Sequence, residues 1–524
     1  MSYQPDLFAV IQSEQWRRKC FSPWATPGRF AVTAFIRVFI FFLCLPLTGV
    51  VVAQERDDTR RLLEQSIESR AFERERELLR DEREQPAASR PTLTLDGRTY
   101  TVERTAAALG QALYLSLQHR QWGAARRFLD EYLTLPDHDP LLVHYARGML
   151  ARAAGLLAQA EAEFRALLAL RPAFLPARLE LARVLFEDGQ EREAELAFVD
   201  ILASINAADP KTAGVRKTIA AYRNALRQRS DWHGSFSFGP TWSDNVNRTS
   251  ASQTCLWLLA NGLCLVERKL PDAISAGGLA FDASAQRRIP LRGRHGLYLR
   301  SSLYGAQYRH HGDYNETTFT AQGGYSYRGG RHQLQLAPSF EYYQWGREAL
   351  YGAWGAHADW SYIPWRNALL KLEGEYKDMS YRRRAYANNF DGATRQLYAT
   401  YYHEVGAGWT LFGGVDWVDS DARLEANGYR QTGLRLGAAV TYSGFSATLF
   451  GAYRVRDYDA YNPLLAARRE DDEQNYTLIL KAPRWQAAGF VPVLTLRHNK
   501  VKSNVDWLYS YDRNDISLKL ERTF

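Results

Sequence analysis

Cysteine and methionine are scarce, with 4 and 3 among 524 residues, which excludes a disulfide-dense scaffold or a metal centre built on repeated cysteine pairs. Charge of one sign is also lacking. The 66 Lys plus Arg against 58 Asp plus Glu leave a formal +8, with both signs interspersed, so the basic face that a nucleic acid would require is missing. Phosphate-binding glycine loops, nucleophile elbows and zinc patterns are absent from the sequence. His403-Glu404 begins like a zinc-hydrolase motif, but no histidine follows three residues after Glu404, and His310-His311 is an isolated pair. Accordingly no catalytic residue, metal ligand or cofactor is expected; an enzyme seated on a barrel rim is the residual catalytic reading.

Of the aromatics that make up 13% of the chain, 11 of 14 Trp and 24 of 30 Tyr follow Ser230. The chain therefore has two compositional parts. Residues 1–53 read as a signal peptide: basic Arg17, Arg18, Lys19, Arg29 and Arg37 precede an apolar run ending Val51-Val52-Ala53. The stretch from Val38 to Val52 is short for a membrane span and interrupted by Pro46; a retained anchor is the competing reading. Removal of this leader leaves Cys255 and Cys264, which are expected to form a disulfide in an oxidising compartment. Residues 54–90 form a charged linker, a solvated helix or a tether, to which no chemistry is assigned.

Residues 91–230 open with a short hairpin around Asp96-Gly97, and the apolar period then becomes helical. Self-similarity appears at 34 residues, relating Gly155 to Gly189, Ala160 to Ala194, Phe164 to Phe198 and Leu168 to Leu202. This spacing resembles tetratricopeptide repeats, with packing positions Gly148, Ala160, Phe164 and Pro172 in one repeat and Ala182, Ala194 and Phe198 in the next. A degenerate earlier copy carries Trp122, Ala125 and Leu129. The repeats would either bind an extended segment in their groove or act as a rigid spacer.

From residue 231 to 524 the period is two. Leu297, Leu299 and Leu303 oppose Tyr298, Arg300 and Ser302; Leu370, Leu372 and Tyr376 oppose Lys371, Glu373, Glu375 and Lys377; Leu434 and Leu436 oppose Arg435. Charged residues on one strand face and apolar ones on the other suit a water-filled barrel in lipid. Fourteen antiparallel strands are expected, each about ten to twelve residues, beginning near Trp232, Ser275, His295, Glu316, Arg331, Gly352, Asn367, Ala393, Ala407, Gly428, Gly444, Asp472, Gly489 and Tyr511. Trp345, Trp354, Trp360, Trp365, Trp409 and Trp417 are read as interfacial girdles. Arg300, Lys371, Glu373, Glu375, Lys377, Arg435, Lys519 and Glu521 are assigned to the lumen, and terminal Phe524 resembles the signal for outer-membrane barrel assembly. The fold class is thus a periplasmic all-α tetratricopeptide solenoid followed by a 14-stranded transmembrane β-barrel, located in a Gram-negative outer membrane. The apolar loop CLWLLANGLCLV would cap the barrel mouth or act as a gate.

The order of leader, short repeat domain and fourteen strands, joined at SFSFGPTWSDNVNR with Trp242, Asp244, Asn245 and Asn247, resembles the surface lipoprotein assembly modulator family, the type XI secretion translocators. The resemblance covers roughly Thr92 to Phe524. It implies transfer of client proteins, lipidated or soluble and often concerned with heme or metal acquisition, from periplasm to cell surface. Implied partners are the client, outer-membrane lipid, a periplasmic chaperone and the barrel assembly machinery, without nucleic acid. An exopolysaccharide export porin with repeats is the alternative, and a passive solute porin a third reading.

Overall fold

The computed structural model describes residues 98–524 apart from 207, 259–262, 366 and 407, together with Tyr3–Pro5, Val50–Val52, Asp58, Arg60, Arg61 and Thr92–Leu95. The remainder of the leader and of the charged linker lies outside the described residues, including most of the apolar run. Thr92–Leu95 pairs antiparallel with Arg98–Thr101.

Seven helices follow: α1 Ala106–Gln118, α2 Trp122–Tyr132, α3 Pro140–Ala153, α4 Leu157–Leu170, α5 Leu175–Glu187, α6 Glu191–Ser204 and α7 Ala213–Ser230. Their starts are written locally. Thr105 Oγ1 accepts from the Ala108 amide at 3.2 Å, and Asp139 accepts from Leu141 just before Pro140 opens α3. The period of 34 places equivalent residues at equivalent contacts. Ala160, Phe164, Ala194 and Phe198 are fully buried, while Pro172 stands exposed in the turn between α4 and α5. A Cβ on Gly148 would meet the Phe164 ring at 2.8 Å, so the absent side chain admits the aromatic. Arg152 pairs with Glu180 at 2.7 Å and also with Glu187, joining α3 to α5 through a buried ion pair. Burial, and then the charge of Glu180, raise the Tyr145 hydroxyl above the ordinary phenol range.

The second half is a closed antiparallel barrel of fourteen strands. They are β1 His233–Ser243, β2 Ala276–Pro290, β3 His295–Tyr308, β4 Glu316–Arg328, β5 His332–Trp345, β6 Glu348–Tyr362 and β7 Ala368–Tyr381. The series continues with β8 Gly392–Gly406, β9 Trp409–Ser420, β10 Tyr429–Tyr442, β11 Phe445–Asn462, β12 Ala467–Lys481, β13 Phe490–Ser503 and β14 Tyr511–Thr523. Consecutive strands pair, and β14 returns to β1. Leu299, Leu372, Leu436 and Leu518 are exposed on the outside, where lipid satisfies them, while the alternate side chains turn inward.

Three expectations change. Strands run from 11 to 18 residues, because the alternation continues beyond the apolar belt with polar residues on both faces. The polar segment left between the strands expected from Gly444 and from Asp472 is mostly strand: β11 and β12 extend outward together and leave only a short turn between Asn462 and Ala467. Trp345 is not an outer girdle residue but is buried, in an inward cluster with Tyr343, Tyr351 and Tyr381. This cluster also takes in Tyr386 and Phe390 of a short helix, Arg384–Phe390, in the loop after β7. The lumen near the outer mouth is therefore packed with aromatic side chains rather than lined only by water-facing charge.

Candidate functional site

The inward positions on successive strands form a belt of opposite charges. Lys377 donates to Glu341 at 2.7 Å and lies 3.6 Å from Glu375; Lys371 is 3.4 Å from Glu373 on the same strand. Arg435 meets Asp416 at 2.5 Å, and Arg300 lies 4.0 Å from Asp359. Toward the seam, Glu521 accepts from Lys481 at 2.6 Å and Lys519 reaches Asp282. The eight residues expected in the lumen, Arg300, Lys371, Glu373, Glu375, Lys377, Arg435, Lys519 and Glu521, turn inward from β3, β7, β10 and β14, so they are spread around the wall rather than converging on one reacting atom. In a medium of low dielectric each charge needs its opposite nearby, and the antiparallel register supplies it from a neighbouring strand.

The most fully buried charge in the belt is not among the lumen residues that the alternation marks. Arg454 on β11 is fully buried and faces Asp416 at 3.4 Å and Glu473 at 3.6 Å. The alternation of Tyr453-Arg454-Val455-Arg456 carries its signal, but it borders the polar residues Asp457 to Asp459, where the alternation of apolar and polar residues ends.

The first extracellular loop is anchored by the motif that follows β1. Asn245 Nδ2 donates to the Thr249 and Asp512 carbonyls at 3.0 Å, and Asn247 Nδ2 donates to Asp272 at 2.9 Å. Asp244 accepts from the Asn514 amide at 2.8 Å, which joins the motif to β14. Within the loop, Gln253–Leu258 pairs with Cys264–Lys269, and Cys255 and Cys264 are bonded. Ser250 and Ser252 hydroxyls donate to the Trp507 carbonyl of the last extracellular loop. Trp257, Leu263 and Leu265 remain exposed. At the opposite end, Phe524 exchanges backbone hydrogen bonds with Gly234 at 3.0 and 3.1 Å, placing the C-terminal residue at the barrel seam.

The helical domain docks on periplasmic turns through complementary charge. Asp188 and Glu191, around the turn between α5 and α6, meet Arg294 in the turn between β2 and β3 and Arg288 and Arg328 at the inner ends of β2 and β4, while Glu193 meets the backbone of that same turn. Glu191 is buried and accepts from Arg288 at 2.6 Å, with Arg328 3.6 Å away. Arg294 reaches Asp188 at 2.7 Å, and the Gly293 amide donates to Glu193 at 2.9 Å. Burial alone would lower the Arg294 pKa, but hydrogen bonds to Asp188 and Tyr327 raise it overall. Gly189 has φ +76°, and a Cβ there would lie 2.1 Å from the Arg328 carbonyl oxygen, so the repeat-turn glycine is also a barrel contact.

A closed barrel with an apolar exterior, carrying repeat helices on one end, is an outer-membrane protein whose helical domain faces the periplasm. Its family follows from comparison with known proteins. The family model for the surface lipoprotein assembly modifier matches residues 232–524, and the model for that family's N-terminal tetratricopeptide repeats matches residues 97–198. The chain belongs to the surface lipoprotein assembly modifier family. It is 36% identical over 493 residues to a hemophilin secretion modulator of Acinetobacter baumannii, covering 92% of this chain and 99% of that protein. Surface lipoprotein assembly modifier 1 of Haemophilus influenzae is 27% identical over 416 residues, covering 76% and 81%. Surface lipoprotein assembly modifier 2 of Neisseria meningitidis is 25% identical over 407 residues, covering 72% and 79%. The family and the barrel are those of secretion and transport proteins.

Proposed function

We propose that the chain is a translocator that carries client proteins from the periplasm to the cell surface. The observation that carries this reading is the 36% identity, spanning nearly all of both chains, to a protein named for hemophilin secretion. The client class is exported proteins, lipidated or soluble, with heme or metal acquisition as the associated task. The helical domain recruits the client, with or without a chaperone, and the barrel passes it outward. The barrel enters the membrane through the assembly machinery, for which Phe524 is the recognition residue. The mixed signs of Lys371, Glu373, Arg435 and Asp416 favour a passage for polypeptide over one for a polymer of a single charge.

The test is surface exposure of exported proteins encoded beside this one, in a Gram-negative host with and without the chain. A neighbour that reaches intact-cell antibody or the medium only when the chain is present supports the proposal. A neighbour that stays periplasmic in both, while a polysaccharide appears outside, replaces it with polymer export.

A further inference from the structure

Three side chains of the charged linker lie inside the barrel, although its sequence suggested only a tether or a solvated helix. Arg454 Nη2 donates to both carboxylate oxygens of Asp58 at 2.8 Å. Arg60 forms a two-pronged pair with Glu375 at 3.0 and 2.7 Å, the fork geometry that suits a guanidinium on a carboxylate. The guanidinium carbon of Arg61 lies 3.0 Å from the centre of the Tyr398 ring. All six side chains are buried.

We infer that Asp58, Arg60 and Arg61 plug the barrel, and that the lumen contains a binding site for a short peptide bearing an acid followed by two basic residues. The contacts come from β7, β8 and β11, so the segment bridges different parts of the wall rather than lying along one strand. Each contact is opposite in sign or cation on aromatic. A segment of a single charge sign would satisfy Arg454 or Glu375, but not both.

The wall is built around this occupant. Glu375 faces Lys377 at 3.6 Å on one side and Arg60 on the other. Thr320, Gln322 and Ser339 complete the polar surroundings of Arg60. The intervening chain is long enough for this route: 44 residues separate Arg61 from Ala106, a span of up to about 150 Å when extended. The helical domain can thus remain docked in the periplasm while the segment enters the lumen. A passing client would displace the plug with its own acid-and-arginine segment; that displacement rests on the proposed translocator function, whereas occupation of the lumen does not.

The test uses the full chain in the outer membrane of living cells, with Arg61 replaced by the photo-cross-linking residue p-benzoylphenylalanine. Irradiation followed by mass spectrometry is expected to join position 61 to the β8 peptide containing Tyr398. Adding Arg60→Glu should lower the yield about tenfold, the equivalent of about 1.4 kcal/mol of site affinity, and Asp58→Arg should act likewise. Both changes lie outside the strands, and heat-modifiable gel mobility verifies that the barrel has assembled. Cross-links confined to the helical domain or to other proteins, no barrel cross-link at all, or a barrel yield indifferent to both charge reversals would overturn the plug. Failure of client export with the β8 cross-link intact would count against the translocator reading and leave the plug standing.

Discussion

Glu191 at the start of α6 accepts a hydrogen bond from Arg288 at the inner end of β2, 2.6 Å away and buried at the junction of helical domain and barrel. The two residues are 97 positions apart, yet they set where the repeats stand beneath the barrel. Breaking one partner of such a buried pair costs about 3–5 kcal/mol, because the other charge is left desolvated. Glu191→Arg places a fourth cation among Arg229, Arg288 and Arg328 and should release the docked domain. Limited proteolysis near Asp231 is expected to accelerate, and pairing the change with Arg288→Glu should slow it again; equal cleavage in all three proteins would remove Glu191 as the docking residue.

Phe164 fills the space left by Gly148. Gly148→Leu should lower the thermal midpoint of the helical signal by overpacking, at a cost of about 1–3 kcal/mol. Phe164→Ala should cost more, about 3–5 kcal/mol, by leaving a cavity. Circular dichroism melts check both, and an unchanged midpoint for Phe164→Ala would contradict its place in the repeat core.

The seam between β14 and β1 is interrupted. Its register passes from Ser517 opposite Thr241 to Leu520 opposite Phe238, leaving out Gly239 and Pro240, and proline has no amide to donate. The Leu518 amide faces this gap, so its exchange is expected to be faster than that of the continuously paired Leu397 and Ala399 of β8. Pro240→Val should slow exchange at the seam; protection equal to that of β8 in the original chain would show the seam to be no weaker than the rest.

The alternation within β7 is directly testable by cysteine reactivity. A cysteine at Leu372, which lies on the exposed outer face, should react with a lipid-soluble maleimide and resist a water-soluble one. Cysteines at Lys371 and Glu373 should show the reverse, and faster once Asp58, Arg60 and Arg61 are replaced by alanine. Outward reactivity at Lys371 would mean that the register is shifted by one, since one step reverses every side chain.

The Cys255–Cys264 bond closes a loop within a single hairpin, so its effect is local. Cys255→Ser with Cys264→Ser should leave the temperature of the barrel's gel shift unchanged while making the hairpin sensitive to protease in intact cells. A lower barrel transition would assign the bond a wider structural role.

Periodicity made the broad fold legible. Alternation in Leu297 to Tyr304 and Leu370 to Lys377 located inside and outside, and repetition of Gly155 at Gly189 located the helical hairpins, because both signals are local consequences of backbone geometry. The outward reach of β11 and β12 was obscured because Asp457, Tyr458 and Asp459 alternate between environments that are both polar in sequence. The docking site was harder still: Glu191 and Arg288 are ordinary charged residues until the barrel closes and brings their elements together. Asp58, Arg60 and Arg61 carried no periodic signal at all, since their role depends on which strands face the lumen.

The most direct test of the account is export of a client by a chain lacking residues 98–230 but retaining the leader, charged linker and barrel. The account predicts that the shortened barrel assembles, shown by its heat-dependent gel mobility, while the client stays in the periplasm. Surface delivery at the level of the full chain would contradict the claim that the docked repeats and the barrel act as one translocator.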